Sequence, residues 1–429
     1  MKSTQSKALS RRAPRPVRVP PPLTRGDEKF EGSSVLTEFE GDFGILLWQS
    51  LRNVLLWSAT DPARRKGLFA SGAEERRRVK LLSADVDDAL RAPLAVIARL
   101  LADPAGADRR RVSSACLKIA DWAEKKDKLA TALAFTQAAA LSGSNDARIS
   151  YAVGRIARQR AEYPRAETWF RRAILLGRQG GDWESYALAF GGLGNLYVQG
   201  GNLSAAQKAH LRAFRAAKRK GLRSIQASSL HDLFVIAAER NQIRDAEELA
   251  AAALRAYGPG HARLPFFAHD VAYFWLRQSC FSSALVVLSA LRPHFDRPND
   301  QALVLAHIAR AAAGASKMEQ YEEAWQAAMT LMASSGSTER AAAVFLALAD
   351  AAAEAEDWER TTTAAQRALL LADTREEAQT KDAAEARLKE AAEMKARPSA
   401  EAPEPWILDH ADSLAENLAK SLDRQVATR

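Results

Sequence analysis

Residues 193–213 read LGNLYVQGGNLSAAQKAHLRA, and this stretch decides the fold. Its large and small side chains recur in the same order along the chain, in register with an alanine position that Ala206 fills here. The position recurs at intervals of 34–40 residues and is filled by Ala132, Ala166, Ala206, Ala246, Ala284, Ala324 and Thr361. A period of this length predicts stacked pairs of helices. We expect seven pairs, and therefore about 14 helices, over residues 113–372.

The surroundings of the alanine repeat as well. A large residue stands three positions earlier in every unit: Leu129, Tyr163, Leu203, Ile243, Phe281, Tyr321 and Trp358. Small residues predominate twelve positions before the alanine and seven positions after it. Two helices of a hairpin can approach closely at the small positions, while the large residues fill the grooves between neighbours. Turn-forming and N-capping residue types, such as Gly201-Asn202, fall between the two helices.

This pattern resembles the tetratricopeptide repeat (TPR) family. The matching residues of the best unit, 187–220, are Leu193, Gly194, Tyr197, Gly201, Leu203, Ala206 and Ala213. The resemblance implies an all-α superhelical array of helix-turn-helix repeats with helical caps. Two features depart from the family: the closing proline is missing, and most periods are near 40. Such longer units resemble the arrays of bacterial signalling and transcription-regulating proteins, and the high Ala and Arg content is typical of a bacterial protein.

The composition divides the chain into four regions. Residues 1–28 are basic and proline-rich with little apolar surface, which predicts disorder. Residues 37–112 predict an N-terminal helical cap region, and residues 113–372 form the array. Residues 373–429 predict a charged helix, a linker and a final amphipathic helix. Because a terminal repeat exposes apolar surface, we expect one or both C-terminal helices to cap the array.

Several observations bear on location. No apolar stretch follows the basic N-terminus at the length of a signal peptide. The most apolar segment, 44–60, is interrupted by polar residues and is too short to span a bilayer. Cys116 and Cys280 lie in different repeats at core-like positions without metal-ligand spacing, which indicates reduced thiols. We therefore expect a cytoplasmic protein without membrane association.

The candidate binding site is the concave groove lined by the first helix of each pair. Outward positions lie fifteen and eleven residues before the repeat alanine, one helical turn apart. Polar and aromatic residues concentrate in units two to five at or beside these positions. The predicted peptide-binding residues are Arg148, Tyr151, Arg155, Asn195, Gln199, His231, Asp232, His269 and Tyr273.

Two His-Asp dipeptides, His231-Asp232 and His269-Asp270, occupy equivalent places in adjacent units. One interpretation is a pair of groove histidines that take part in recognition. The other is repeat similarity, with each aspartate hydrogen-bonded to a neighbouring helix. Two histidines leave a metal site short of ligands, so we predict no metal.

No phosphate-binding loop, dinucleotide motif or nucleophile elbow is recognisable. The sequence therefore favours a non-enzymatic scaffold without a cofactor that binds a polypeptide in its concave groove. Residues 144–256 carry a net charge of +8, so the protein or peptide partner can be acidic. One alternative is a regulatory protein that binds a peptide or small ligand and controls transcription. A less favoured alternative is nucleic-acid association through the basic tail and the positive middle.

Overall fold

The computed structural model describes residues 32–143, 145–334, 340–374, 377–394 and 411–427. Within these ranges the regular structure is helical, apart from two short 3₁₀ turns, Pro62–Arg64 and Arg292–His294. The helices are α1 Ser34–Glu38, α2 Gly41–Ala59, α3 Ala73–Ser83, α4 Asp88–Arg99, α5 Arg109–Lys125, α6 Leu129–Ser142, α7 Ala147–Gln159, α8 Tyr163–Gly180, α9 Trp183–Gln199, α10 Leu203–Lys220, α11 Arg223–Glu239, α12 Ile243–Tyr257, α13 Leu264–Arg277, α14 Phe281–Leu291, α15 Pro298–Gly314, α16 Met318–Ser334, α17 Ala341–Glu354, α18 Trp358–Thr374, α19 Ala378–Met394 and α20 Ala411–Ala427. The predicted basic tail, residues 1–28, lies outside the described residues.

The predicted all-α architecture is confirmed. Fourteen helices, α5 to α18, follow one another through the region of the predicted array. The two helices of a pair pack closely, as in α5–α6, α7–α8, α9–α10, α15–α16 and α17–α18. Ala206 and Ala246 are fully buried, which agrees with close helix contacts at the repeat alanine.

The turn inside each pair contains one residue with positive φ. These residues are Asp127, Ala161, Gly201, Asn241, Ser279, Ser316 and Glu356. The left-handed conformation ends the first helix so that the chain can reverse into the second. In six pairs the second helix begins at the large residue of the motif, three residues before the repeat position. Its fourth residue is therefore the repeat alanine or Thr361.

The sixth pair corrects the sequence alignment. Its second helix begins at Met318, so its fourth residue is Tyr321 and not Ala324. Ser316 supplies the positive-φ turn two residues before Met318. Tyr321 is almost fully buried at the position that alanine fills elsewhere. The predicted register of this unit was therefore wrong by three residues, because its large–x–x–small motif, Tyr321 to Ala324, lies one turn further along α16.

Contacts between Cα atoms divide the chain into two compact units, residues 1–229 and 230–429, which we call the N-terminal and C-terminal units. In the N-terminal unit, α1 and α2 pack on α6, and α4 packs on α5. The Glu38 carboxylate accepts hydrogen bonds from the backbone N–H groups of Ala130 and Thr131, at 2.8 and 2.7 Å. It thereby satisfies two of the unpaired donors at the start of α6. The indole of Trp57 is buried and donates to the Pro104 carbonyl at 2.7 Å.

In the C-terminal unit, the last two helices take different places. Helix α19 packs on α18 and α17, next to the final pair of the array. Helix α20 instead packs mainly on α14, with smaller contacts to α13 and α12. Its anchors Leu418 and Leu422 are fully buried. The last helix was predicted to begin near residue 405, but residues 405–410 lie outside the described residues.

The two cysteines differ in their surroundings. Cys116 is fully buried in α5, and burial raises the pKa of its thiol to about 12. Cys280 precedes α14 and is only partly buried, so the predicted core position was wrong for this residue. Neither cysteine forms a disulfide. Within the described residues, every helix is either too short or too polar to cross a bilayer.

Candidate functional site

The first predicted group of site residues lies on α7 and α9 of the N-terminal unit. Arg148, Tyr151 and Arg155 follow helical spacing along α7, and Asn195 and Gln199 are one turn apart on α9. Helices α7 and α9 pack on one another. Arg155 and Asn195 occupy equivalent positions in their repeats, eleven residues before the repeat alanine.

Arg155 is held by a neighbouring helix. Its guanidinium makes a two-pronged contact with the Glu124 carboxylate of α5, in which Nη2 donates to Oε2 at 2.6 Å. It also donates to Gln159 Oε1 at 3.4 Å. The hydrogen bonds with Glu124 raise the pKa of Arg155 above its ordinary value despite partial burial. A carboxylate arriving from a partner would therefore compete with Glu124 for this guanidinium.

Asn195 is in a different situation. It is partly exposed, and its side chain has no hydrogen-bond partner among the described residues. Gln199, one turn further along α9, and Arg148 on α7 are exposed. Arg148 forms no ion pair with any described residue. Tyr151 is partly buried, and its ring centroid lies 5.9 Å from that of Phe170. This face thus offers an amide, a cation and an aromatic ring.

The second group lies in the C-terminal unit and includes two residues that were not predicted as site residues. His231 of α11 contacts Asp270 of α13, with Nε2 and Oδ2 2.8 Å apart. His269 of α13 contacts His307 of α15, with Nε2 and Nδ1 3.1 Å apart. His269 Nδ1 also lies 3.5 Å from Asp270 Oδ1. We call His231, His269, Asp270 and His307 the histidine cluster.

The cluster is more buried than an open groove would be. His231 is only 4% exposed, and its Nδ1 lies 3.2 Å from the Tyr257 hydroxyl. Tyr273 is 39% exposed, and its ring lies 5.3 Å from that of His307. Asp232 is partly buried on α11. The contact between Asp270 and His231 is of the kind expected from repeat similarity, an aspartate hydrogen-bonded to a neighbouring helix.

The cluster has an unusual protonation pattern. Burial alone would raise the pKa of Asp270, but hydrogen bonds from His231 and His269 outweigh it and hold this pKa well below the ordinary value. Burial, together with the proximity of the Arg310 guanidinium, holds the pKa of His307 well below its ordinary value. His307 is therefore neutral in the folded protein at neutral pH. No group of three or more metal-ligating side chains in the described residues is arranged to hold a metal ion.

A network of ion pairs in the C-terminal unit was not predicted from the sequence. The Asp350 carboxylate of α17 accepts from Arg310 Nη1 at 3.2 Å and lies 2.8 Å from Arg387 Nη2 of α19. Arg310 also donates to Glu354 Oε1 at 3.1 Å. Counted from Tyr321, Arg310 falls at the position of Arg155 and Asn195, which the three-residue error had assigned to an alanine. The left-handed turn at Ser316 was the local signal for the correct register.

We expect the folded protein to lose stability as the pH falls below about 6.5, the ordinary pKa of histidine. Because the pKa of His307 is lower in the folded state, the unfolded state binds more protons below that pH. The contribution of His307 is therefore complete above about pH 6.5 and declines as the pH falls toward the folded pKa. His307→Gln should show a smaller decrease in Tm between pH 7.5 and 5.5 than the wild type. Between pH 8.5 and 7.5, where histidine does not titrate, the change in Tm should be the same for the wild type and for His307→Gln. An equal decrease in Tm between pH 7.5 and 5.5 would contradict the lowered pKa of His307.

Comparisons with known proteins concern the fold alone. Neither a protein-family model nor a curated protein sequence matches the chain. Aspartyl phosphate phosphatase F from Bacillus subtilis is similar at 8% identity and a TM-score of 0.49, over 76% of this chain and 93% of that one. The Cut9–Hcn1 hetero-tetramer of the APC/C aligns at 14% identity and a TM-score of 0.47, over 83% and 64%. BtubC from P. vanneervenii aligns at 15% identity and a TM-score of 0.41, over 52% and 91%.

Proposed function

We propose that this all-α, TPR-like repeat protein is a non-enzymatic scaffold that binds a polypeptide, and that α7 and α9 form its binding face in the N-terminal unit. The observation that carries the proposal is the Asn195 amide, which is partly exposed and has no hydrogen-bond partner among the described residues. An amide both donates and accepts, so it matches the N–H and C=O groups of an extended peptide.

The neighbouring side chains favour a peptide that carries acidic residues. Arg148 is an exposed cation without an ion pair within the described residues. Arg155 adds a second guanidinium, although Glu124 already occupies it. Arginine binds carboxylates through paired, charge-assisted hydrogen bonds. An acidic side chain of the partner would therefore pair most readily with Arg148, while Arg155 and Glu124 keep the adjacent surface ordered.

The C-terminal unit offers fewer unpaired groups on the equivalent helices. Arg310, Asp350, Glu354 and Arg387 satisfy one another. His231 and His307 are buried, and each is paired within the histidine cluster. We therefore place the principal contact on α7 and α9, and we assign the histidine cluster a role in holding α11, α13 and α15 together.

The proposal is tested by site-specific photo-crosslinking. A photoreactive phenylalanine analogue is placed at Asn195 in one variant and at Lys208, an exposed position on α10, in the control. In the native host, a polypeptide should be captured from position 195 and not from position 208. Capture at both positions, or at neither, would argue against this face.

The captured partner then allows a binding measurement. Asn195→Ala and Gln199→Ala should each weaken the purified complex by about 1–3 kcal/mol, because the partner's polar groups lose hydrogen bonds. Lys208→Ala should leave affinity unchanged. Arg155 is not replaced, because its removal would leave Glu124 without its partner. Unchanged affinity in the Asn195→Ala, Gln199→Ala double variant would refute the proposal.

A further inference from the structure

Helix α10 carries a continuous row of cations on its exposed side. Its sequence, LSAAQKAHLRAFRAAKRK, contains six basic residues and no acidic residue. All six are exposed: Lys208, Arg212, Arg215, Lys218, Arg219 and Lys220. Residues 208, 212, 215 and 219 follow the spacing of one helix face and span about 16 Å along the axis. We call these six side chains the α10 basic face.

The positive charge of this face is not neutralised locally. None of the six forms an ion pair with a described residue. Helix α9, the partner of α10 in the hairpin, contributes Glu184 as its one carboxylate, and the Asp182 carboxylate that precedes it caps the Ser185 N–H. On α8, Glu167 is paired with Arg171. Three cations at the end of a helix are favourable to its dipole, but Lys208, Arg212 and Arg215 lie in its earlier turns.

Aromatic rings hold several of these cations in place. Arg212 lies over the Phe190 ring at 5.5 Å, and Arg219 and Lys220 lie over the Trp183 ring at 5.5 and 4.9 Å. Such contacts restrict the side chains while leaving their N–H groups directed to solvent. The face is therefore an ordered set of donors, so less side-chain entropy is lost when an anion binds.

We infer that the α10 basic face binds the phosphate backbone of a nucleic acid. Protein–protein interfaces contain a core of apolar side chains with few charges, and interfaces with nucleic acids are much more positively charged. The large apolar side chains of α9 and α10 are not among the exposed ones. A membrane surface would also call for apolar anchors beside the cations. Arginine and lysine without acidic neighbours match a row of phosphates.

This inference is independent of the proposed peptide-binding face, because it concerns α10 and not the Asn195 side of α9. The test measures fluorescence anisotropy of labelled 20-nucleotide RNA, 20-nucleotide DNA and DNA duplex with the full chain across salt concentrations. The variant Lys208→Gln, Arg212→Gln, Arg215→Gln removes three cations from the face. The control Arg76→Gln, Arg78→Gln, Lys80→Gln removes three exposed cations from α3. Glutamine keeps the helix propensity high.

We expect the affinity of the α10 variant for single strands to be lower than that of the wild type by about tenfold or more at low salt. The slope of log K against log salt concentration should be smaller by about two, because each of the three lost phosphate contacts removes about 0.7. The α3 control should retain nearly all of the affinity, and the basic tail is common to both variants. Ultraviolet crosslinks should map to α9–α10. Equal weakening of both variants or absence of binding by the wild type at about 0.1 M salt would overturn the inference. It would also be overturned if the α10 variant lost binding of an acidic peptide or of anionic vesicles while keeping its affinity for nucleic acid.

Discussion

Replacing Gly194 with alanine is expected to destabilise the N-terminal unit, whereas Gly191→Ala in the same helix is expected to stabilise it. A Cβ on Gly194 would lie 2.2 Å from His210 Nε2 and 2.4 Å from its Cδ2. The His210 side chain is fully buried, so it cannot move aside without disturbing the contact between α9 and α10. A Cβ on Gly191 meets no atom within 4 Å.

Comparing Gly194→Ala with Gly191→Ala separates the effect of packing from the effect of helix propensity. Alanine gains about 1 kcal/mol of helix propensity over glycine at either position. Overpacking at Gly194 costs about 1–3 kcal/mol, so the two variants should differ by about that amount.

Because a chain with two compact units can unfold in more than one step, hydrogen exchange in α9 and α10 should be measured together with Tm. In the Gly194→Ala background, His210→Ala should cost less than it does alone. Equal stability of the two glycine variants would show that α9 and α10 do not approach as closely as described.

The second large effect is expected at the docking of α20. Leu418 is fully buried in α20, whose main contact is with α14, while Asn417 beside it is exposed. Asp412 Oδ1 accepts from the Ser283 hydroxyl at 2.6 Å, and Gln425 Nε2 donates to the His261 carbonyl at 3.5 Å. Leu418→Asp places a charge in this apolar contact at a cost of several kcal/mol, which should release α20.

Asn417→Asp is the matched control, because it adds the same charge to the exposed side of α20. Release should appear as loss of hydrogen-exchange protection in both α20 and α14 and as faster proteolysis of α20. The control should resemble the wild type in both measurements. Persistent protection of α20 in Leu418→Asp, or the same loss in Asn417→Asp, would contradict docking through Leu418.

In the sixth pair, periodicity alone does not determine where the second helix begins. Met318 and Tyr321 are both large residues one turn apart that could begin the second helix, and only Tyr321 is followed three residues later by a small residue, Ala324. Choosing between them requires the position of the preceding turn, which Ser316 marks by its positive φ. The register error hid Arg310, and with it the ion pairs that Arg310 forms with Asp350 and Glu354. A positional prediction thus failed at the repeat where alanine is replaced by a large residue.

The sequence by itself determined the helical pairs, their number and the small residues at their contacts, because helix spacing and turn chemistry are set by residues close together in the chain. Only the tertiary structure decided the partners of polar and apolar side chains. Arg155 meets Glu124, and Asp270 meets His231, across gaps of 31 and 39 residues. The apolar stripe of α20 likewise predicts that this helix is buried, but it does not specify the helix on which α20 packs. In the structure that helix is α14. Burial and hydrogen bonding across such distances depend on how the pairs stack, and local spacing carries no information about that choice.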